Sequence, residues 1–129
     1  MKAAKVNLAG QDYFLVFNGA AMFEFDDAFG GSSAYFENTK GDGREVYATV
    51  CKAASILSEQ GELIRRSLGY DKGPILTEEQ ALTMAAPMEA ARLRKAVMDA
   101  ILAGYGREIE DDEDVDMGLL ELERKQGKG

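Results

Sequence analysis

Polar and apolar residues alternate at the start of the chain and then give way to three- and four-residue spacing, which predicts a β-hairpin followed by helices. Lys5-Val6-Asn7-Leu8 alternates, Gly10-Gln11 supplies a turn signal, and Tyr13-Phe14-Leu15-Val16-Phe17 is a run of aromatic and branched residues suited to a second strand. Asn18 is placed to cap a helix, because its side-chain oxygen can accept from an early backbone N–H that lacks an intrahelical partner. Gly30 ends that helix. Met22, Phe25 and Phe29 fall on one side of it, while Phe23 lies roughly 100° around the axis from Met22. Phe23 therefore requires a second partner surface.

From Gly30 to Gly43 the chain is rich in Gly, Ser and Asn and carries Tyr35-Phe36 in its middle, which predicts a loop with one helical turn. The aromatic pair has two readings: it tucks back onto the core, as connectors often arrange, or it presents two rings to a partner. Arg44 to Leu68 is more regular, with Tyr47, Val50, Ala54, Leu57, Gly61, Ile64 and Leu68 alternately three and four apart. This seam predicts one long helix packed antiparallel on its neighbours, with self-association of the chain as the alternative use. Its small residues, Ala54 and Gly61, permit close approach of a neighbour. Gly61 is also where a kink or break would come, since glycine costs about 1 kcal/mol of helix propensity relative to alanine.

Gly69 closes this helix, and Tyr70-Asp71-Lys72-Gly73-Pro74 is turn-forming. Thr77-Glu78-Glu79-Gln80 matches a capping box, with threonine serving the third residue's N–H and glutamine reaching back. Pro87 interrupts the pattern and opens a new helix as its first residue. There Leu93, Val97 and Ile101 form a stripe flanked by Ala90, Met98 and Leu102, with Arg92, Arg94 and Lys95 on a solvated face, and Gly104 ends it.

Seven of the nine residues from Glu108 to Asp116 are acidic, too dense a like-charge run to pack, which predicts an extended, solvated leash. Beyond it Met117, Leu119, Leu120 and Leu122 lie among charged residues and suit a short amphipathic helix that becomes stable only by docking. The expected fold is thus α+β, mostly α: an N-terminal β-hairpin, four or five packed helices and an acidic, largely disordered C-terminal tail. Residues 1–106 form a single folded domain, and 107–129 an acidic linker with a short amphipathic C-terminal segment.

Composition narrows the chemistry. The chain has 129 residues, no histidine and one cysteine, Cys51, so Ser-His and Cys-His nucleophilic machinery and Cys/His zinc sites cannot be built. Cys51 sits beside the helical seam and reads as a small buried hydrophobe. A lone thiol with no signal peptide after Met1-Lys2 and no membrane-spanning run points to a reducing cytoplasm. The net charge of −8, of which residues 107–129 contribute −5, argues against nucleic acid as a partner. Asp112, Asp114, Asp116 and Glu123 imitate an EF-hand loop, but Met117 stands at the sixth position, where the sharp turn needs glycine, so no metal site is expected. No phosphate-cradling glycine loop is present, and Asp26-Asp27 and Glu78-Glu79 are neighbours that point apart on their helices. Neither a catalytic set nor a cofactor site can be assembled, and binding is the function class that remains.

The opening Lys5 to Asn18 and the following Ala21-Met22-Phe23-Glu24-Phe25-Asp26-Asp27-Ala28-Phe29-Gly30 resemble the start of the tail assembly chaperones of long-tailed bacteriophages and prophages. The Thr77-Glu78-Glu79-Gln80 helix start and the terminal Asp116 to Glu123 are also similar to variants from Gram-positive hosts. The resemblance implies a strand–turn–strand, several helices and a charged tail. It implies a non-enzymatic protein of the bacterial host cytoplasm that binds the tape-measure protein, with the tail tube protein as a further candidate partner. That long apolar client is kept soluble until the tube polymerises around it. Such chaperones are commonly made with a frameshifted longer form, to which an acidic tail would be a linker. The candidate client contacts are Phe23, Tyr35, Phe36, Met117, Leu119, Leu120 and Leu122, with homo-oligomerisation through the Tyr47–Leu68 seam left open. The rival readings are a small acidic regulatory adaptor or inhibitor that occupies a basic host partner, and a structural tail component.

Overall fold

The computed structural model describes residues 2–106 and the backbone of 114–116. β1 (Lys2–Leu8) and β2 (Gln11–Leu15) form the expected antiparallel hairpin, followed by α1 (Gly19–Phe29), α2 (Ser32–Asn38), α3 (Arg44–Ser67), α4 (Glu78–Met84) and α5 (Pro87–Gly104). A short third strand, β3 (Asp114–Asp116), pairs antiparallel with the other edge of β1, giving the sheet order β2-β1-β3.

The hairpin turn sits one residue earlier than the Gly10-Gln11 signal indicates. Leu8 pairs with Gln11, so the turn residues are Ala9 and Gly10, both with positive φ (51° and 82°). This is the left-handed pair that a two-residue hairpin loop needs to match strand twist. Alanine adopts that conformation at a cost of about 1–2 kcal/mol. Contacts on both sides hold it there: the Ala9 N–H donates to Glu89 Oε2 at 2.9 Å and the Gly10 N–H to Asn7 Oδ1 at 3.2 Å.

Alternation along the strands divides the sheet into two faces. Ala4, Val6, Leu8, Tyr13 and Leu15 enter the main core, whereas Ala3 and Val16 form a smaller cluster with Phe14, Ile64 and Leu68. β2 ends at Leu15, two residues before the apolar run does, because the chain there turns onto α3: the Val16 N–H donates to the Leu57 carbonyl at 3.2 Å.

α3 runs through Gly61 without a break. The reason for glycine is proximity: a Cβ at that position would lie 1.9 Å from the Phe14 carbonyl oxygen and 2.7 Å from its carbon. The helix backbone thus closes directly against the β2 edge, and Val50, Ala54 and Leu57 of the seam are buried inside the same chain. A second close approach occurs at Gly104, where a Cβ would come within 2.4 Å of the Phe17 carbonyl oxygen.

The helix ends follow the local signals. Asn18 Oδ1 accepts from the Ala21 N–H at 3.0 Å, and Gly30 closes α1 in the left-handed conformation. Thr77 and Gln80 form the reciprocal capping box, with both bonds at 3.1 Å, and Pro87 is the first residue of α5. Leu93, Val97 and Ile101 are fully buried. Between α1 and α3, where a loop with one turn is expected, the chain forms the seven-residue helix α2. Tyr35 anchors it by packing against Phe25 and Phe29 at centroid distances of 5.5 and 5.3 Å. Burial of that ring, rather than helix propensity, accounts for order in a Gly/Ser-rich stretch.

Candidate partner-binding surfaces

Of the two readings of the Tyr35-Phe36 pair, the core reading applies to the first residue. Tyr35 is 2% exposed, and burial pushes its phenol well above the usual range despite the nearby Arg94 cation. Phe36 is half-buried and packs on the core beside it, at 5.5 Å between ring centroids. Tyr35 therefore offers no ring to a partner in this conformation. Together the two rings floor a cavity of about 330 Å³ between α2 and α5, walled by Thr39, Ala91, Arg94 and Met98.

This cavity is fastened at both ends. At one end the Ser32 and Tyr105 hydroxyls are hydrogen-bonded at 2.7 Å; at the other Arg94 donates to the Thr39 carbonyl and to Asp42 Oδ1. α2 therefore runs antiparallel to α5, with space between the two helices. Arg94 belongs to the solvated face expected of the sequence, yet its role here is to tie α2 to α5. Such a tie joins residues more than fifty positions apart, and no local pattern shows it.

Phe23 behaves differently from the other α1 aromatics. Phe25 is fully buried and Phe29 partly so, but Phe23 is 64% exposed, with Met22 beside it at the edge of exposure. The second partner surface that its position requires is not supplied by the described residues. Met117, Leu119, Leu120 and Leu122 lie outside the described residues, as does the calcium-like spacing except for the backbone of Asp114–Asp116.

Other apolar residues are exposed as well, among them Leu63, Met98 and Tyr105. Leu82, Met84 and Met88 are 47%, 41% and 68% exposed where α4 meets α5.

Several titratable groups are engaged structurally. Glu62 is almost fully buried on α3 and accepts from Arg65 (2.6 Å), Arg66 (2.8 Å) and the Gly73 N–H, which pins the 69–76 connection to the helix. Burial pushes its carboxyl upward, but these donors, led by Arg66 and Gly73, outweigh that and hold it below the usual carboxylate range. Arg65 in turn lies over the Phe14 and Tyr70 rings, at 5.3 and 4.7 Å from their centroids. Cys51 is buried, and burial pushes its thiol up, away from the reactive thiolate. Glu89 receives the Ala86 and Ala9 N–H groups, which hold its carboxyl low. Among the described residues, no three His, Cys, Asp or Glu side chains are grouped to hold a metal ion, and no helix is long and apolar enough to cross a membrane.

What the described residues offer a partner is thus apolar surface on a firmly tied frame: Phe23 on α1, the cavity between α2 and α5, and the α4–α5 junction. No family model matches this chain, and no curated protein or solved structure is significantly similar to it.

Proposed function

We propose that this protein is a non-enzymatic tail assembly chaperone of a long-tailed bacteriophage or prophage, acting in the host cytoplasm to bind the tape-measure protein and keep it soluble during tail tube assembly. The observation that carries this reading is the exposure of Phe23, which stands out from α1 at 64% while its helix is fixed by a buried Phe25 and a satisfied Asn18 cap. A large aromatic held open on a rigid helix is the kind of anchor that dominates an interface, because little ordering free energy is lost when it docks. It lies within the segment, Ala21 to Gly30, on which the resemblance to these chaperones rests. The net charge of −8 suits the task, since repulsion between loaded complexes opposes their aggregation.

The test is co-expression of the full chain with the tape-measure protein of the same phage, scored by the client's soluble fraction. The proposal expects a soluble client with the wild-type chain and a several-fold smaller soluble fraction with Phe23→Asp or with truncation after Gly106. If the client is indifferent to this protein, and the chain instead captures a basic host protein with affinity that falls steeply as salt rises, the acidic-adaptor reading replaces it.

A further inference from the structure

On α5, Ala91, Arg94, Lys95 and Met98 recur at three- and four-residue spacing, so they share the helix face that lines the cavity beside α2. Across from them the rings of Tyr35 and Phe36 form its floor, and Met98, 42% exposed, stands at its edge. The cavity holds about 330 Å³, at the lower end of the range that small ligands occupy. α2 and α5 are tied on either side of it, by the Ser32–Tyr105 bond and by the bonds of Arg94 to Thr39 and Asp42. Two ties that bracket a short space suit a compact molecule better than a helix or an extended peptide, which needs a groove that runs on.

The polar lining decides what kind of molecule fits. Arg94 Nη1 donates to Asp42 Oδ1 at 3.3 Å, and Nη2 donates to the Thr39 carbonyl. These bonds leave the Nε–H and further hydrogens of the planar guanidinium fork, which matches a carboxylate bidentately, without an acceptor among the described residues. Asp42 is the partner more easily lost. Its side chain is fully exposed between Gly41 and Gly43, and 3.3 Å is just beyond the usual range for an N–H···O bond. Arg94 thus already takes a carboxylate beside the cavity, from a side chain that can leave. The other cation, Lys95, is engaged at 2.7 Å with the almost fully buried Asp99. The Thr39 hydroxyl is donated to the Tyr35 carbonyl at 2.9 Å, so the rest of the lining recognises by apolar contact.

We infer that the α2–α5 cavity binds a small amphipathic carboxylate, its alkyl or aryl body on Tyr35, Phe36 and Met98 and its carboxylate on Arg94 in the place of Asp42. The charge of the whole chain works against such a ligand, since a net −8 attracts cations. A preference for the anion therefore requires a local donor, and Arg94 is that donor. The site is separate from Phe23, and the inference holds or fails independently of the chaperone reading.

The probe is 4-phenylbutyrate, compared with 4-phenylbutylamine and 4-phenylbutanol, which carry the same body on a cationic and a neutral head. Each is titrated into the isotope-labelled full chain and followed by its amide chemical shifts. The carboxylate is expected to bind at roughly millimolar affinity, as suits a ligand of this size, and about tenfold more tightly than either analogue. The shifts should centre on α2 and on residues 91–98 of α5. Asp42→Ala removes the competing carboxylate and should tighten binding about threefold, while Arg94→Gln should erase the difference between carboxylate and alcohol. Circular dichroism establishes that each variant is folded, and the exposed position of Asp42 keeps the first test valid even where loss of Arg94 loosens α2. No binding of the carboxylate, equal binding of the alcohol, binding not tightened by Asp42→Ala, or shifts centred on α1 overturns the inference. A tighter grip on an acetylated Leu-Leu-Glu amide than on phenylbutyrate also overturns it, and assigns the cavity to a protein segment instead.

Discussion

Along the edge of β2 the fold leaves no room for a methyl group, whereas on α1 and at the α4–α5 corner it leaves Phe23, Leu82, Met84 and Met88 in solvent. Both regions are apolar, so hydrophobicity does not distinguish them. What differs is whether backbone approaches backbone. At the β2 edge α3 closes on Phe14 through Gly61, and just past the strand the Val16 N–H donates to the Leu57 carbonyl of that helix. At the corner Met84 and Met88, on either side of Pro87, remain exposed. Stability and recognition are thereby placed in separate parts of a small domain, and substitutions should move one without the other.

The largest effect should come from Gly61→Ala. Its methyl would meet the Phe14 backbone, which cannot rotate aside, and urea denaturation should show a loss of about 3 kcal/mol. A near-neutral result would mean that α3 and β2 are not closed against each other. Next is Glu62→Gln, which leaves Arg65 and Arg66 without their carboxylate and should cost about 2 kcal/mol at neutral pH. Because the folded-state carboxyl is held below its ordinary value, its contribution is present above the unfolded-state pKa and is lost as pH falls through the folded-state one. Wild type and Glu62→Gln should therefore converge in stability under acid, and a gap that widens toward low pH would contradict the assignment.

Smaller and opposite in sign is Ala9→Asn. Asparagine tolerates positive φ better than alanine and suits a two-residue turn before glycine, so the change should raise stability by about 0.5–1 kcal/mol in the same denaturation measurement. Smallest of all are the surface changes Phe23→Asp and Met84→Asp/Met88→Asp, expected within about 0.5 kcal/mol of wild type because nothing buried is disturbed. Their effects belong to binding alone. A large loss of stability at either would erase the distinction between the sealed edge and the open surfaces.

The sequence is most legible where a single local interaction decides the outcome. Asn18, Gly30, the Thr77–Gln80 box and Pro87 each act within one turn of helix, and each element end appears where those residues place it. The pattern is less informative where distant residues decide. Ala9 takes the left-handed turn position while Glu89, eighty residues away, binds its N–H, so the turn falls one residue before its local signal. α2 forms because Tyr35 is buried, a tertiary effect that a Gly/Ser-rich segment does not advertise. Gly61 reads as a kink when its purpose is contact with Phe14. β3 pairs backbone groups of a highly acidic run with β1, Lys2 lying opposite Asp116, and charge counting does not register backbone pairing. For the candidate surfaces the amphipathic pattern set Phe23 apart from the Met22, Phe25 and Phe29 side of α1, and it is 64% exposed. The pattern could not separate the buried Tyr35 from the half-buried Phe36, because that depends on the packing of Tyr35 against Phe25 and Phe29, nor show that Leu82, Met84 and Met88 remain open.

The most direct test of the account is the soluble fraction of the tape-measure protein co-expressed with the wild-type chain and with Phe23→Asp, alongside the denaturation midpoint of each chain. The account predicts a client soluble fraction several-fold larger with the wild type than with Phe23→Asp, together with midpoints that coincide. Client solubility that is the same with either chain, or with neither present, would contradict it.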